Sequence, residues 1–255
     1  MSNSARSRVT NPRHRMSNFL VASLCLLLAA GGCSFNHVIS PLAPLETQSQ
    51  EMVVDDDKGV TFTRDRLDVR LRPMTDEELD RLFGTDSSPQ KSSNPYTFGG
   101  RQFWDGQRSR FTVFHLRVKN YAFPKVIIDP LQAELTTANG RRYWSLSLQQ
   151  LESYFRSDAI GYRGNEYSIF RQRLDILRDT LFQAKPVFSG QESEGYVVFP
   201  VLHDDVSRVE ILIHDIALRF DYRGEPVETM DLGYDFQREI GRRLWGQKVE
   251  DADGA

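Results

Sequence analysis

Phe111-Thr112-Val113-Phe114-His115-Leu116-Arg117-Val118-Lys119-Asn120 is the segment that most clearly announces a β fold. β-Branched and aromatic residues dominate it. Thr112, Phe114, Leu116 and Val118 form the more apolar of its two alternating faces, as in a strand with one side buried. Lys119-Asn120 closes it. Beyond it, Val126-Ile127-Ile128 and Leu131 to Thr136 read as strands, with Pro130 breaking the register between them. Asn139-Gly140 is the strongest hairpin signal of the chain, because a tight primed turn needs positive φ at both positions. Arg141 to Leu146 returns as its partner strand.

The C-terminal half repeats this style in Tyr196 to Phe199, Val209 to Ile213, Ala217 to Tyr222 and Val227 to Phe236, with Arg223-Gly224-Glu225-Pro226 as a turn. Upstream, Val60, Phe62, Leu67, Val69 and Leu71 alternate with polar residues until Pro73. Thr75-Asp76-Glu77-Glu78 is a capping box opening a short helix, with Leu79, Leu82 and Phe83 on one face and Gly84 at its end. Residues 85–100 read as a loop with embedded aromatics. One segment breaks the β rhythm. Ser147-Leu148-Gln149-Gln150 has the spacing of a second capping box, and Leu148, Leu151 and Phe155 share a helical face. Phe170, Leu174, Leu177 and Leu181 then recur at helical intervals up to Pro186. Residues 147–184 are therefore predicted as a helical excursion running over an edge or end of the sheets.

Phe114 to Asn120, the strand pair around Asn139-Gly140-Arg141-Arg142-Tyr143, and the later turn, glycine and strand of Ser189 to Pro200 carry a resemblance. Together they resemble the immunoglobulin-like β-sandwich domains of bacterial lipoproteins, including the telokin-like group of secreted proteins. The resemblance covers roughly residues 105–146 and 186–236. It implies a mainly β fold, an immunoglobulin-like antiparallel β-sandwich, here with an inserted helical hairpin. It assigns no catalytic residue.

The amino terminus adds an address. Arg6, Arg8, Arg13 and Arg15, with no acidic residue, precede the apolar run Phe19 to Ala30, and Gly31-Gly32-Cys33-Ser34 follows. The run is about a dozen residues, short of the roughly 20 that span a bilayer, and the layout is that of a secretory leader. With a cysteine at the cleavage point it resembles a bacterial lipoprotein signal peptide, although Ala30 stands where Leu is usual. The resemblance implies cleavage after Gly32 and acylation of Cys33, and two or more acyl chains make a stable anchor. In a Gram-negative cell, Ser34 implies transport to the outer membrane, facing the periplasm. The expected layout is a signal peptide at 1–32, a lipidated tether at 33–58, the sandwich at 59–236 and a polar tail at 237–255. Asp55-Asp56-Asp57-Lys58 reads as solvated linker, without the alternating ligands and glycine of a calcium loop.

The whole chain holds 32 basic and 35 acidic residues; removing the leader's four arginines leaves 28 against 35, a net charge of −7. That balance disfavours a nucleic-acid partner, which requires a basic footprint. Cys25 lies in the leader and Cys33 at the lipidation point, so the mature domain has no thiol or disulfide. No Gly-x-Ser-x-Gly elbow and no phosphate loop occurs, and no cofactor is expected. Two sets of residues remain as candidates. Tyr154, Phe155, Tyr162, Arg163 and Tyr167 crowd the helical excursion, either as a partner-docking patch or as packing against the sandwich. His203 and His214 flank one predicted strand, either as ligands of a metal in a nitrogen/oxygen site or as ordinary strand histidines. The leading expectation is a membrane-anchored, non-enzymatic binding or accessory protein engaging another envelope protein. A small-ligand or metal binder is the alternative, and an enzyme of unknown type the third.

Overall fold

The computed structural model describes residues 35–48, 51–84, 92–99, 108–161 and 167–244. The leader, Cys33, Tyr162 and Arg163 lie outside the described residues. The chain divides into two compact units, residues 37–241 and a second made of 1–36 with 242–255. Only strand ends of the second unit are described; the two five-stranded sheets and the described helices belong to the first.

Two antiparallel five-stranded sheets face each other. The first contains β3 (Met52–Val54), β4 (Val60–Arg64), β5 (Leu67–Pro73), β6 (Phe111–Asn120) and β11 (Gln191–Pro200), in the order β11-β6-β5-β4-β3. The second contains β2 (Ala43–Pro44), β8 (Ala133–Thr137), β9 (Arg142–Trp144), β12 (Arg208–Phe220) and β13 (Pro226–Gln237), in the order β2-β13-β12-β8-β9. Among the described residues there are also two short ribbons: β1 (Phe35–Ile39) with β14 (Ile240–Leu244), and β7 (Lys125–Val126) with β10 (Val187–Phe188). The inner faces meet in one core, Phe114, Leu116 and Val118 of the first sheet against Ile211, Leu232, Tyr234 and Phe236 of the second. The Tyr234 hydroxyl crosses the sandwich to donate to the Val69 carbonyl at 3.0 Å. The fold is the expected antiparallel β-sandwich with a helical hairpin inserted between its strands.

Among the described residues three α-helices lie outside the sheets: α1 (Asp76–Phe83), α2 (Leu148–Gly161) and α3 (Tyr167–Thr180). Both capping boxes form. Thr75 Oγ1 accepts from the Glu78 amide while the Glu78 carboxylate accepts from the Thr75 amide, and Ser147 and Gln150 do the same for α2. On α1, Leu79 is buried, whereas Leu82, expected on the same face, points outward. Burial pushes the Asp76 carboxyl up from 3.8 to about 6, and the Glu77 and Asp80 charges add to this against a hydrogen bond from Ser109. A carboxyl raised on folding holds more protons in the folded chain between those two values. Stability therefore falls as pH rises from about 4 to about 6. Asp76→Asn is expected to flatten that decline in urea denaturation curves taken across the window; an unchanged slope would refute it.

Order begins and ends beyond the boundaries read from the sequence. Ala43 pairs with Gln237 and Pro44 with Phe236, and Met52 to Val54 pair with β4. The segment expected as a tether thus supplies an edge strand to each sheet. Its acidic run is a turn gripping Arg70: Asp55 Oδ2 accepts from Arg70 Nε at 2.8 Å and from Thr61 Oγ1 at 2.9 Å, and Asp57 takes the other arm of the guanidinium. At the far end, β14 falls in the stretch expected as a polar tail. The reason is shared: an extended backbone whose amides and carbonyls find partners in a neighbouring strand is held in place, however polar its side chains.

Candidate functional site

The helical hairpin makes a second core on the outer side of the first sheet. Leu151 and Phe155 of α2 and Phe170, Leu174 and Leu177 of α3 pack with Phe111, Val113 and Val198, joined by Leu79 and Tyr96. Phe155 is 1% exposed, and the guanidinium carbons of Arg110 and Arg173 each lie 5.2 Å from its ring centre. It is a packing residue, and among the described residues the outward part of the predicted patch is Tyr154 and Tyr167, 42% and 59% exposed. Tyr154 rests edge-on against Phe155 and Phe111, with ring centres 5.0 and 5.2 Å apart. Tyr167 leans on Phe170 at 5.8 Å, and Arg171 reaches toward the Tyr167 ring.

Where the hairpin leaves and rejoins the sandwich, two segments run along the free edge of β11. The Leu146 amide donates to the Val198 carbonyl at 2.7 Å, and the Phe182 amide to the Tyr196 carbonyl at 3.0 Å. Gly195 permits the second approach, since a Cβ there would sit 2.5 Å from the Phe182 nitrogen. Between the two segments opens a cavity of about 430 Å³, walled by Leu146, Leu148, Leu177, Leu181 and Val198, with Asp129, Ser147, Arg178 and Gln183 among its polar residues. Sequence reasoning missed it, because its walls come from stretches far apart in the chain. The one signal was Gly195, a glycine opening a Val-Val-Phe strand.

The two candidate histidines have different neighbours. The His203 ring lies 6.4 Å from that of Tyr143, and its carbonyl accepts from Arg238. His214 stands on the outer face of the second sheet, Nε2 3.7 Å from Glu134 and Nδ1 3.5 Å from Asp231, with the Trp144 ring 6.3 Å away. Among the described residues no group of three or more His, Cys, Asp or Glu side chains is placed to hold a metal ion. Another histidine, His115, belongs to a charged array on the outer face of the first sheet. There Asp68, Lys119 and Glu192 lie in register across β5, β6 and β11, as do Arg70, Arg117 and Glu194, and Arg72, His115 and Tyr196. Burial lowers the His115 pKa, and Arg72, Arg70 and Arg117 add to that against Glu194. Arg117 holds Glu192 across the strands at 2.9 Å and Arg72 holds Glu78 of α1 at 2.7 Å, so the array reads as a surface satisfied by ion pairs within the sheet and to the helix beside it.

Comparison with known proteins adds little to this geometry. No family model matches the chain, and no curated protein does. Among solved structures, the chain is similar to a secreted protein from Mycobacterium tuberculosis, MPT63, known from a 1.5 Å crystal structure. The two are 12% identical, with 66% of this chain and 86% of that chain covered, at a TM-score of 0.27. Among the described residues no helix is long and apolar enough to cross a membrane.

Proposed function

We propose that this chain is a lipoprotein of the cell envelope, fastened to a membrane through acylated Cys33, whose sandwich serves as a non-enzymatic binding module. The observation that carries the reading is the order of residues at the amino terminus: four arginines, a short apolar run, then Gly31-Gly32-Cys33 directly before the first described strand at Phe35. In a Gram-negative cell, Ser34 would send it to the outer membrane, facing the periplasm. The helical hairpin is the docking element, because it presents Tyr154 and Tyr167 outward from a well-packed base, and rigid aromatic anchors dominate binding energies at interfaces.

The test covers the anchor and the docking face together. With an alkyne-tagged fatty acid fed to cells, the full chain is expected to take up label and fractionate with membranes. Cys33→Ser is expected to lose both. A photo-crosslinking residue placed at Tyr167 should capture one discrete envelope protein, and the same residue at Tyr222, 88% exposed on the turn between β12 and β13, should not. Unchanged labelling and fractionation of the Cys33→Ser chain overturns the anchor. Equal adducts at both positions overturn the docking face.

A further inference from the structure

We propose that the cavity between the helical hairpin and the free edge of β11 is a binding site for a small uncharged amphiphile: an apolar, branched or aromatic body carrying a hydroxyl, ether or amide group. At about 430 Å³ it falls within the volumes that ligand pockets occupy. Its walls are leucine and valine side chains, which exclude a ligand rich in polar groups, because each such group would lose its water without a partner. The floor supplies one fixed donor. Val198 turns its carbonyl to the outer edge, where Leu146 takes it. In an antiparallel strand the amide of the same residue points to the same side, so the Val198 amide is directed along that edge, toward an acceptor on the ligand.

The polar residues choose a neutral head. Asp129 brings a carboxylate, whose Oδ1 accepts from the Leu131 amide at 2.9 Å, and Arg178 brings a guanidinium, 3.2 Å from Asp175. An ion of either sign gains from one and is repelled by the other. A group that both donates and accepts suits the pair, together with Ser147 and Gln183. One wall belongs to the hairpin (Leu148 and Leu177) and the other to the sandwich (Leu131 and Val198), so a bound ligand bridges the two cores. Ligand binding here and membrane anchoring are independent, since neither requires the other.

The experiment uses N-phenyl-1-naphthylamine, a neutral aromatic amine whose fluorescence rises in apolar surroundings. It is titrated into the full chain carrying Cys33→Ser, free of acyl chains that would take up the probe. Saturable fluorescence is expected. Ala184→Trp, at an exposed position on the cavity wall, fills the space; Leu131→Asp, also exposed, adds a charge beside it. Each is expected to weaken binding by about tenfold or more, with circular dichroism and thermal midpoint unchanged, whereas Tyr222→Ala should bind as the parent does. Absence of saturable binding to the parent, or unaltered affinity in both folded cavity variants, overturns the proposal.

Discussion

Truncating Phe114 to alanine is expected to remove about 3–5 kcal/mol of stability, the range for deleting a buried phenylalanine where the surroundings relax only in part. Phe114 is fully buried at the centre of the sandwich. Its ring meets Phe199 of its own sheet edge-on at 6.0 Å and Phe236 of the opposite sheet at 5.2 Å. Alanine therefore opens a void between the sheets and also breaks two aromatic contacts, each worth about 0.5–1.5 kcal/mol beyond its buried area. For a domain of this size the thermal midpoint should fall by roughly 10 °C. Phe188→Ala, at a half-exposed phenylalanine, is the control and should move stability by no more than about 0.5 kcal/mol. Equal losses from the two, measured by guanidinium denaturation, would show that Phe114 is not central to the core.

Asn120 is expected to be as sensitive for a different reason. Its side chain is fully buried and uses its whole hydrogen-bonding capacity on backbone groups. Nδ2 donates to the carbonyls of Phe123 and Val187, both at 2.8 Å, and Oδ1 accepts from the amides of Phe123 at 2.9 Å and Ala122 at 3.3 Å. One amide thus shapes the exit from β6 and ties it to β10. Asn120→Ala leaves four backbone groups to find other partners, at about 1–3 kcal/mol for each that stays buried and unpaired. Asn120→Asp should be worse at neutral pH, since it aims a carboxylate at two carbonyls that need donors. Its extra loss should shrink on acidification, when a protonated carboxyl donates again. A carboxylate variant as stable as wild type at neutral pH would rule this account out.

Both residues stand in the stretch from which the sandwich is legible. The alternation of Phe114, Leu116 and Val118 marks the inner face correctly, and the final Asn120 ends the strand as read. What the alternation hides is that Phe111 and Val113, on the opposite face, are buried too, because α2 and α3 cover that half of the strand. Strand periodicity reports one buried face; a second appears only when another element arrives. The turns differ from expectation for a related reason. At Asn139-Gly140 only the glycine has positive φ, +81°, so the pair does not form the two-residue primed turn. That turn occurs at Asp65-Arg66, with φ of 48° and 65°, between the paired Arg64 and Leu67. Neither residue announces it; the Tyr121 amide, donating to the Arg66 carbonyl at 3.1 Å, helps to hold it.

The candidate site divides in the same way. The capping box at Ser147 and the helical spacing from Phe170 to Leu177 located the hairpin, and the tyrosines on it were visible as residues. Their sorting was not: Phe155 and Tyr154 are adjacent in sequence, yet one is buried with two guanidinium groups near its ring and the other is half exposed. The strands read on either side of His214 are one continuous β12, bent by a bulge where Asp215 takes a φ of 54° and its amide donates to Asp231.

The chain alone makes legible whatever acts over a few residues: which segments alternate as strands, which repeat as helices, and where caps and prolines stop them. Long-range packing settled the rest, namely which strands are neighbours, which faces are buried twice, and that a leucine-walled cavity opens beside Gly195. Leu131, Leu148, Leu177 and Val198 meet around that cavity from well-separated parts of the chain. Such meetings are selected by the fit of the whole molecule, because no single stretch carries the free energy of contacts it makes only after folding.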